Sequence, residues 1–290
     1  MTYPTIRKIL KARNRTTFRP GWHALTPCAR STPTSYGQTQ LMTEQAGIAS
    51  TAEGMCVPFI WSRGDRFGFC PIPKAATSSL KTLILEAERI KDPGDNADEI
   101  FLEFKKRFPS VLPCPHWDKK LGSEYGKLII VRHPFERLVS AYVDKIRTTD
   151  PFIPGAKAMY KHGFVGKGPN GTFTFSEFVS NILKEPVEKW DEHWAPFTTR
   201  CRPCSMRYNV IAKVETLDQD LKTLLPRIGL QRWTFPARNV KTRSNESSRK
   251  EFSHYISELP RQQLLQLHAI YMYDFELFGY KLAGYTDPVL

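Results

Sequence analysis

Two short stretches carry the side chains best suited to chemistry. In the first, Lys74 is followed by Ala75, Ala76 and three hydroxyls, Thr77, Ser78 and Ser79, with a second lysine at Lys81. A short apolar run (Phe67, Phe69, Ile72) precedes them and is broken by Pro71 and Pro73. Behind them, Leu80, Leu83, Ile84 and Ala87 recur at helical spacing. The pattern predicts a buried strand, a tight turn and a helix start. The first amides of a helix lack intrahelical partners and lie at the positive end of its dipole. A lysine and hydroxyls at that end add charge and donors, which suits a phosphate-like anion. The glycine-rich phosphate loop G-x-x-x-x-G-K-[ST] is not met, because no glycine occurs between Gly68 and Gly94. A nucleotide kinase is disfavoured on that ground.

The second stretch runs from Lys127 to Arg147. Leu128–Val131 is an apolar run typical of a buried parallel strand, with Arg132 and His133 at its carboxyl end. Pro134 then opens a helix that places Phe135, Leu138, Val139 and Tyr142 on one face. In open α/β sheets, ligands bind outside the carboxyl ends of the strands. Lys74 and Arg132 are therefore placed to face one anion, with Ser140 two turns along the helix.

A third group supplies a base. Asp191-Glu192-His193-Trp194 sets a histidine between carboxylates and a tryptophan, and histidine is the usual general base near neutral pH. A lone histidine is more often structural, and His133 is the rival for the role. Cys201 and Cys204 follow with C-x-x-C spacing, open to zinc, redox or disulfide readings. Zinc would want a second close pair, which Cys28, Cys56, Cys70 and Cys114 do not form. Arg202-Pro203 reads as a loop rather than the helix start of a redox motif.

These groups need an α/β frame to hold them. Tyr208–Val214 predicts a third buried strand, with Lys213 and Glu215 at the level of a ligand or forming a surface ion pair. Thr216-x-x-Gln219 is a capping-box signature for the next helix. Asp98–Phe108 and Phe175–Leu183 have helical period, the latter with Thr174 as cap. A final helix over Pro260–Tyr273 is expected to close the core, with Tyr273, Phe275 and Phe278 packing beneath the sheet. Thr148–Gly171, with Lys157, Lys161 and Lys167, and the basic run Arg232–Lys250 read as loops able to line an anionic partner or simply be solvated.

Composition bounds the partner. The 290 residues hold 42 basic and 29 acidic side chains, a net charge of +13 that implies an anionic partner. No zinc-finger or helix-turn-helix spacing appears and the basic residues are spread out, so nucleic acid is not expected. Residues 1–54 are basic, with no acidic residue before Glu44, and read as a disordered segment ahead of one domain over 55–290. An Arg-rich, acid-poor leader also fits an organellar transit peptide. No run approaches the ~18–20 apolar residues of a membrane span. Sequons at Asn14, Asn170 and Asn245 are weak support for a lumenal address.

The pair PKAATSSLK and VRHPFERLVSAY resembles the 5′-phosphosulfate and 3′-phosphate segments of Golgi carbohydrate sulfotransferases. The nearest branch holds the chondroitin/dermatan 4-O-sulfotransferases and the HNK-1 sulfotransferase. DEHWAPFTTRCRPC, YNVIAKVETLDQDL and YMYDFELFGY agree with that branch, so the resemblance spans about residues 55–281.

The resemblance implies a P-loop-like three-layer sandwich, with a central parallel sheet and flanking helices in a single domain. It implies sulfuryl transfer from 3′-phosphoadenosine 5′-phosphosulfate (PAPS) to an acidic glycan such as chondroitin or dermatan, in the Golgi lumen, with structural disulfides and no metal. Lys74, Ala75, Ala76, Thr77, Ser78, Ser79, Lys81, Arg132 and Ser140 would bind the donor, with His193 and Lys74 catalytic. Family members are membrane-anchored, so membrane association here would need an anchor not visible in this sequence.

Their first segment is usually nearer P-K-V-A-C-T-N-W-K. Here Thr77, Ser78, Ser79 and Leu80 stand for Cys, Thr, Asn and Trp. That divergence sustains an alternative: a catalytically inactive relative that binds acidic glycans.

Overall fold

The computed structural model describes residues 59–61, 67–87, 90, 97–107, 126–147, 173–228 and 246–282. The basic segment before residue 55, all three sequons, the loop over 148–171 and most of the basic run after Arg232 lie outside the described residues.

Four strands form one sheet in the order β1 (Ile60–Trp61), β2 (Phe67–Phe69), β3 (Gly126–Val131), β4 (Val210–Lys213). The three strands expected from apolar runs pair in parallel, Phe69 with Leu128 and Val131 with Lys213. The short strand β1 was not anticipated; it adds antiparallel to β2, with Trp61 opposite Gly68. Glycine is required there, since a Cβ on Gly68 would sit 2.3 Å from the Phe59 ring and 2.7 Å from the Ile60 carbonyl oxygen.

The crossovers are helical. Between β2 and β3 lie α1 (Thr77–Ala87) and α2 (Ala97–Arg107). Between β3 and β4 lie α3 (Pro134–Lys145), α4 (Phe175–Ile182), α5 (Phe197–Cys201) and α6 (Pro203–Met206). After β4 come α7 (Leu217–Leu224), α8 (Glu246–Ser257) and α9 (Arg261–Leu277). Helix α4 starts on the capping box of Thr174 and Glu177.

Two apolar clusters fill the described domain. Phe67, Phe69 and Leu128–Val131 of the sheet pack with Leu80, Leu83 and Ile84 of α1 and with Leu217 and Leu221 of α7. Phe135, Leu138 and Tyr142 of α3 pack with Phe175 and Phe178 of α4 and with Leu264, Leu267 and Tyr271 of α9. Helix α3 belongs almost wholly to this interior, being buried at Pro134–Val139, Ala141 and Tyr142.

Two expectations are corrected, and the disulfide reading of the cysteines is the one that holds. The final helix runs on to Leu277, and the three aromatics part company. Phe278 joins the sheet cluster and Phe275 the helical one, while Tyr273 stays partly exposed. Thr216 makes no capping hydrogen bond to α7; its hydroxyl donates to Asp220 Oδ2 at 2.7 Å, which also accepts the Lys213 amide at 2.9 Å. Cys201 pairs with Cys70, across 131 residues and a Cα separation of 5.9 Å. Cys204 is also disulfide-bonded. Both cysteines of the C-x-x-C pair are thus structural, and neither is a zinc ligand or a redox couple.

Candidate active site

The carboxyl ends of the parallel strands β2 and β3 open onto the same region, and the turn that is the candidate anion cradle forms there without glycine. Lys74 and Ala76 adopt left-handed conformations, with φ of 66° and 56°. Non-glycine residues carry a cost of order 1–3 kcal/mol in sparsely populated backbone regions, and such residues cluster at functional sites. Local bonds hold the turn. Thr77 Oγ1 donates to the Ile72 carbonyl, and the Leu80 amide donates to Ala76 at 3.1 Å, closing the first turn of α1. Ser78 remains partly exposed near the helix start. Ser79 and Ala75 are buried, so the Ser79 hydroxyl faces the interior rather than the open end of α1.

Lys74 reaches α3. Its ammonium lies 3.0 Å from Asp144, with about a fifth of the side chain exposed. Burial lowers the Lys74 pKa, and Asp144 pulls it back up. Burial works to raise the Asp144 carboxyl, but Lys74 and Lys145 prevail and hold it below the ordinary value. Arg132 joins the two sequence stretches, with Nη1 donating to the Lys74 carbonyl at 3.5 Å and Nε lying 3.6 Å from Glu136. Ser140 is partly exposed on α3. Lys81 sits deeper, with Nζ 5.6 Å from the Phe104 ring centre; burial lowers its pKa and Glu192 opposes the shift.

The histidine loop carries an oriented dyad. His193 Nδ1 lies 2.5 Å from Asp191 Oδ1, which also accepts the His193 amide at 3.0 Å. With Nδ1–H donated to a carboxylate, Nε2 is left as the acceptor nitrogen. Both side chains keep some solvent access, as a base that must meet a substrate requires. His133, the rival, is fully buried among Phe135, Phe275 and Tyr280. Its ring contacts the Lys281 carbonyl and its amide donates to Glu215 at 2.7 Å, so it does not face the opening. Lys213 and Glu215 are likewise turned inward, Lys213 over the Tyr280 ring and Glu215 onto the Tyr280 hydroxyl.

The sulfotransferase family profile matches residues 57–281. The chain belongs to the sulfotransferase family. It is similar to carbohydrate sulfotransferase 14 of Danio rerio, 32% identical over 235 residues, covering 76% of this chain and 61% of that protein. The human carbohydrate sulfotransferase 14 is 30% identical over 76% of this chain and 59% of its own length. Carbohydrate sulfotransferase 11 of Mus musculus is 28% identical over 75% and 65%. The chain thus spans about three-fifths of the length of these relatives. No solved structure matches it.

In this member of the sulfotransferase family, the side chains that tie the three stretches together were largely missed at the sequence level. Arg137 is 1% exposed and donates from Nε to Pro73 at 3.1 Å, from Nη1 to Ala195 at 2.8 Å and from Nη2 to Glu192 at 2.7 Å. Tyr271 donates to the Trp194 carbonyl at 2.5 Å. Asp274, fully buried on α9, accepts the amides of Phe197 and Thr198 at 2.8 and 2.9 Å and so caps α5 from a distant helix. A signal did exist: an arginine inside FERL and an aspartate inside YMYDF are charges in otherwise apolar helix faces.

Proposed function

We propose that this chain transfers a sulfuryl group from PAPS to a hydroxyl of an acidic glycan, with position 4 of N-acetylgalactosamine in chondroitin or dermatan as the acceptor. The observation that carries the reading is the Asp191–His193 dyad, whose loop is bonded through Arg137 to the backbone of the Lys74 turn. The residues present suit the donor: a cationic turn and the amides that open α1 for the phosphosulfate, and Arg132 with Ser140 for the 3′-phosphate.

In the transfer, His193 Nε2 takes the acceptor hydroxyl proton as the oxygen bonds to sulfur. The sulfur–oxygen bond to the 5′-phosphate breaks, and its electron pair leaves on the phosphate. Lys74 and the amides opening α1 neutralise that charge, an effect for which one donor is typically worth ~3–4 kcal/mol. Asp191 keeps His193 in the accepting tautomer and stabilises the imidazolium that forms. A sulfate ester and 3′-phosphoadenosine 5′-phosphate are the products.

A carbohydrate acceptor is supported by the similarity to carbohydrate sulfotransferases 14 and 11, and the net charge of +13 suits a polyanion. The Golgi lumen as location is supported by the Cys70–Cys201 disulfide, since such bonds persist in oxidising compartments. Among the described residues, no helix is long and apolar enough to cross a membrane.

Calorimetric binding of 3′-phosphoadenosine 5′-phosphate against ADP tests the donor site. Binding should depend on the 3′-phosphate and weaken by ~1.5–3 kcal/mol in Arg132→Ala, as for a lost charged hydrogen bond. Transfer of labelled sulfate to desulfated chondroitin or dermatan then tests the acceptor. A folded, disulfide-intact chain that binds chondroitin but neither nucleotide would leave the inactive glycan-binding relative as the better account.

A further inference from the structure

We infer that Arg137 is a positioning residue that sets His193 in register with Lys74. The inference rests on the sulfotransferase reading, which assigns these two groups to the base and to the leaving-group cation. One guanidinium donates to the carbonyls of Pro73 and Glu192, the residues directly preceding Lys74 and His193. Its third bond, to Ala195, grips the far side of the same histidine loop. The backbone next to each catalytic group is therefore held from one rigid plane.

The chemistry of the site explains why this must be arginine. Arg137 is buried beneath the catalytic turn, where burial works to lower its pKa, yet a guanidinium remains charged in proteins. Burying a charge is costly, and an apolar side chain of similar volume would fill the space at least as well. Arginine uniquely offers a planar fork of donors that fixes several carbonyls at once. The Phe197 ring, 4.8 Å from the guanidinium carbon, stacks against it and limits its motion.

The remaining tethers act on other parts of the loop. Tyr271 and Asp274 hold residues 194–198 to α9, and Cys70–Cys201 anchors the end of α5 beside β2. Sulfuryl transfer needs the base on the acceptor side and the cation on the leaving-group side of one sulfur. Misplacement by about 1 Å costs ~10²-fold in rate.

The test compares the full disulfide-intact chain with Arg137→Met, which keeps bulk without donors, and Arg137→Lys, which keeps charge without the fork. Binding sites are counted calorimetrically with 3′-phosphoadenosine 5′-phosphate, and kcat and KM are expressed per binding-competent site. Arg137→Met is expected to bind the nucleotide nearly as wild type while kcat falls ~10²-fold at nearly constant acceptor KM. Arg137→Lys is expected to recover part of that loss. An unchanged kcat per site in Arg137→Met, or nucleotide affinity falling in step with kcat, would overturn the role. If Arg137→Met does not fold, Arg137→Lys decides, and an unchanged kcat per site there overturns it equally. A wild-type chain that neither binds the nucleotide nor transfers sulfate removes the sulfotransferase reading itself, a result distinct from an inert Arg137.

Discussion

Residues 70–81 and 191–201 each present one of the side chains proposed for catalysis, and the two segments are held largely by different means. The first is a contiguous strand–turn–helix whose turn is braced mainly by its own neighbours, Thr77 onto Ile72, Leu80 onto Ala76 and left-handed backbone at Lys74 and Ala76, with Arg132 and Arg137 adding one bond each from outside. The second has only a short helix of its own. Its carbonyls and amides are taken up by Arg137 of α3 and by Tyr271 and Asp274 of α9, and its end is bonded to Cys70. An anion cradle can be made locally because helix amides come with the helix. A base must be placed relative to something else, so distant elements place it.

The largest effect should separate the two segments. His193→Ala is expected to lower kcat by ~10²–10⁴-fold while leaving nucleotide affinity nearly intact. Lys74→Ala should lower kcat by ~10²–10³-fold and weaken nucleotide binding as well. Initial rates combined with calorimetry check both; equal losses of affinity in the two variants would erase the distinction.

Next is the anchor of the histidine loop. Burial pushes the Asp274 carboxyl up to about 6 from an ordinary 3.8, against the amides of Thr198 and Phe197 and the charge of Arg137, which pull it down. A carboxyl raised by folding contributes stability that is full below the unfolded pKa and is lost as pH rises through the folded one. This group should therefore destabilise the fold by roughly 3 kcal/mol between about pH 4 and pH 6. Asp274→Asn should remove that slope, read as the wild-type-minus-variant difference in thermal unfolding across the window. A parallel pair of curves would mean that Asp274 does not titrate there.

The smallest effect concerns the local segment. Asp144 pairs with Lys74, with both side chains partly exposed, and would compete with a bound anion for the ammonium. Asp144→Asn should release the ammonium and tighten nucleotide binding by less than ~1 kcal/mol, the scale of a solvent-screened pair. Weaker binding in this variant would show that Asp144 orients Lys74 rather than competing for it.

The cradle was legible because it is written in consecutive residues. The apolar run of Phe67, Phe69 and Ile72, the helical period after Thr77 and the Val131-Arg132 junction each describe local structure; the helix and the junction appeared where expected, and the strand stops at Phe69, short of Ile72. The missing glycines were misleading, since Lys74 and Ala76 take the left-handed backbone themselves. His133 and His193 illustrate the reverse. Each follows a charged residue near a predicted opening, yet one is sealed by Phe275 and Tyr280 and the other is oriented by Asp191. The cysteines behaved in the same way: C-x-x-C spacing gave no hint that Cys201 would pair with a residue 131 positions earlier.

The amino-acid sequence by itself determined the parallel strands, the helix starts and the residue types at the proposed anion site, because periodicity, proline and backbone amides act over a few residues. Tertiary structure alone decided which histidine is accessible, which carboxylate caps α5 and which arginine links the Lys74 and His193 segments. Those outcomes depend on desolvation. A charge buried in an apolar face must find polar partners, and Arg137 and Asp274 find them in backbone far away in sequence, so their roles exist only once the chain has closed around them.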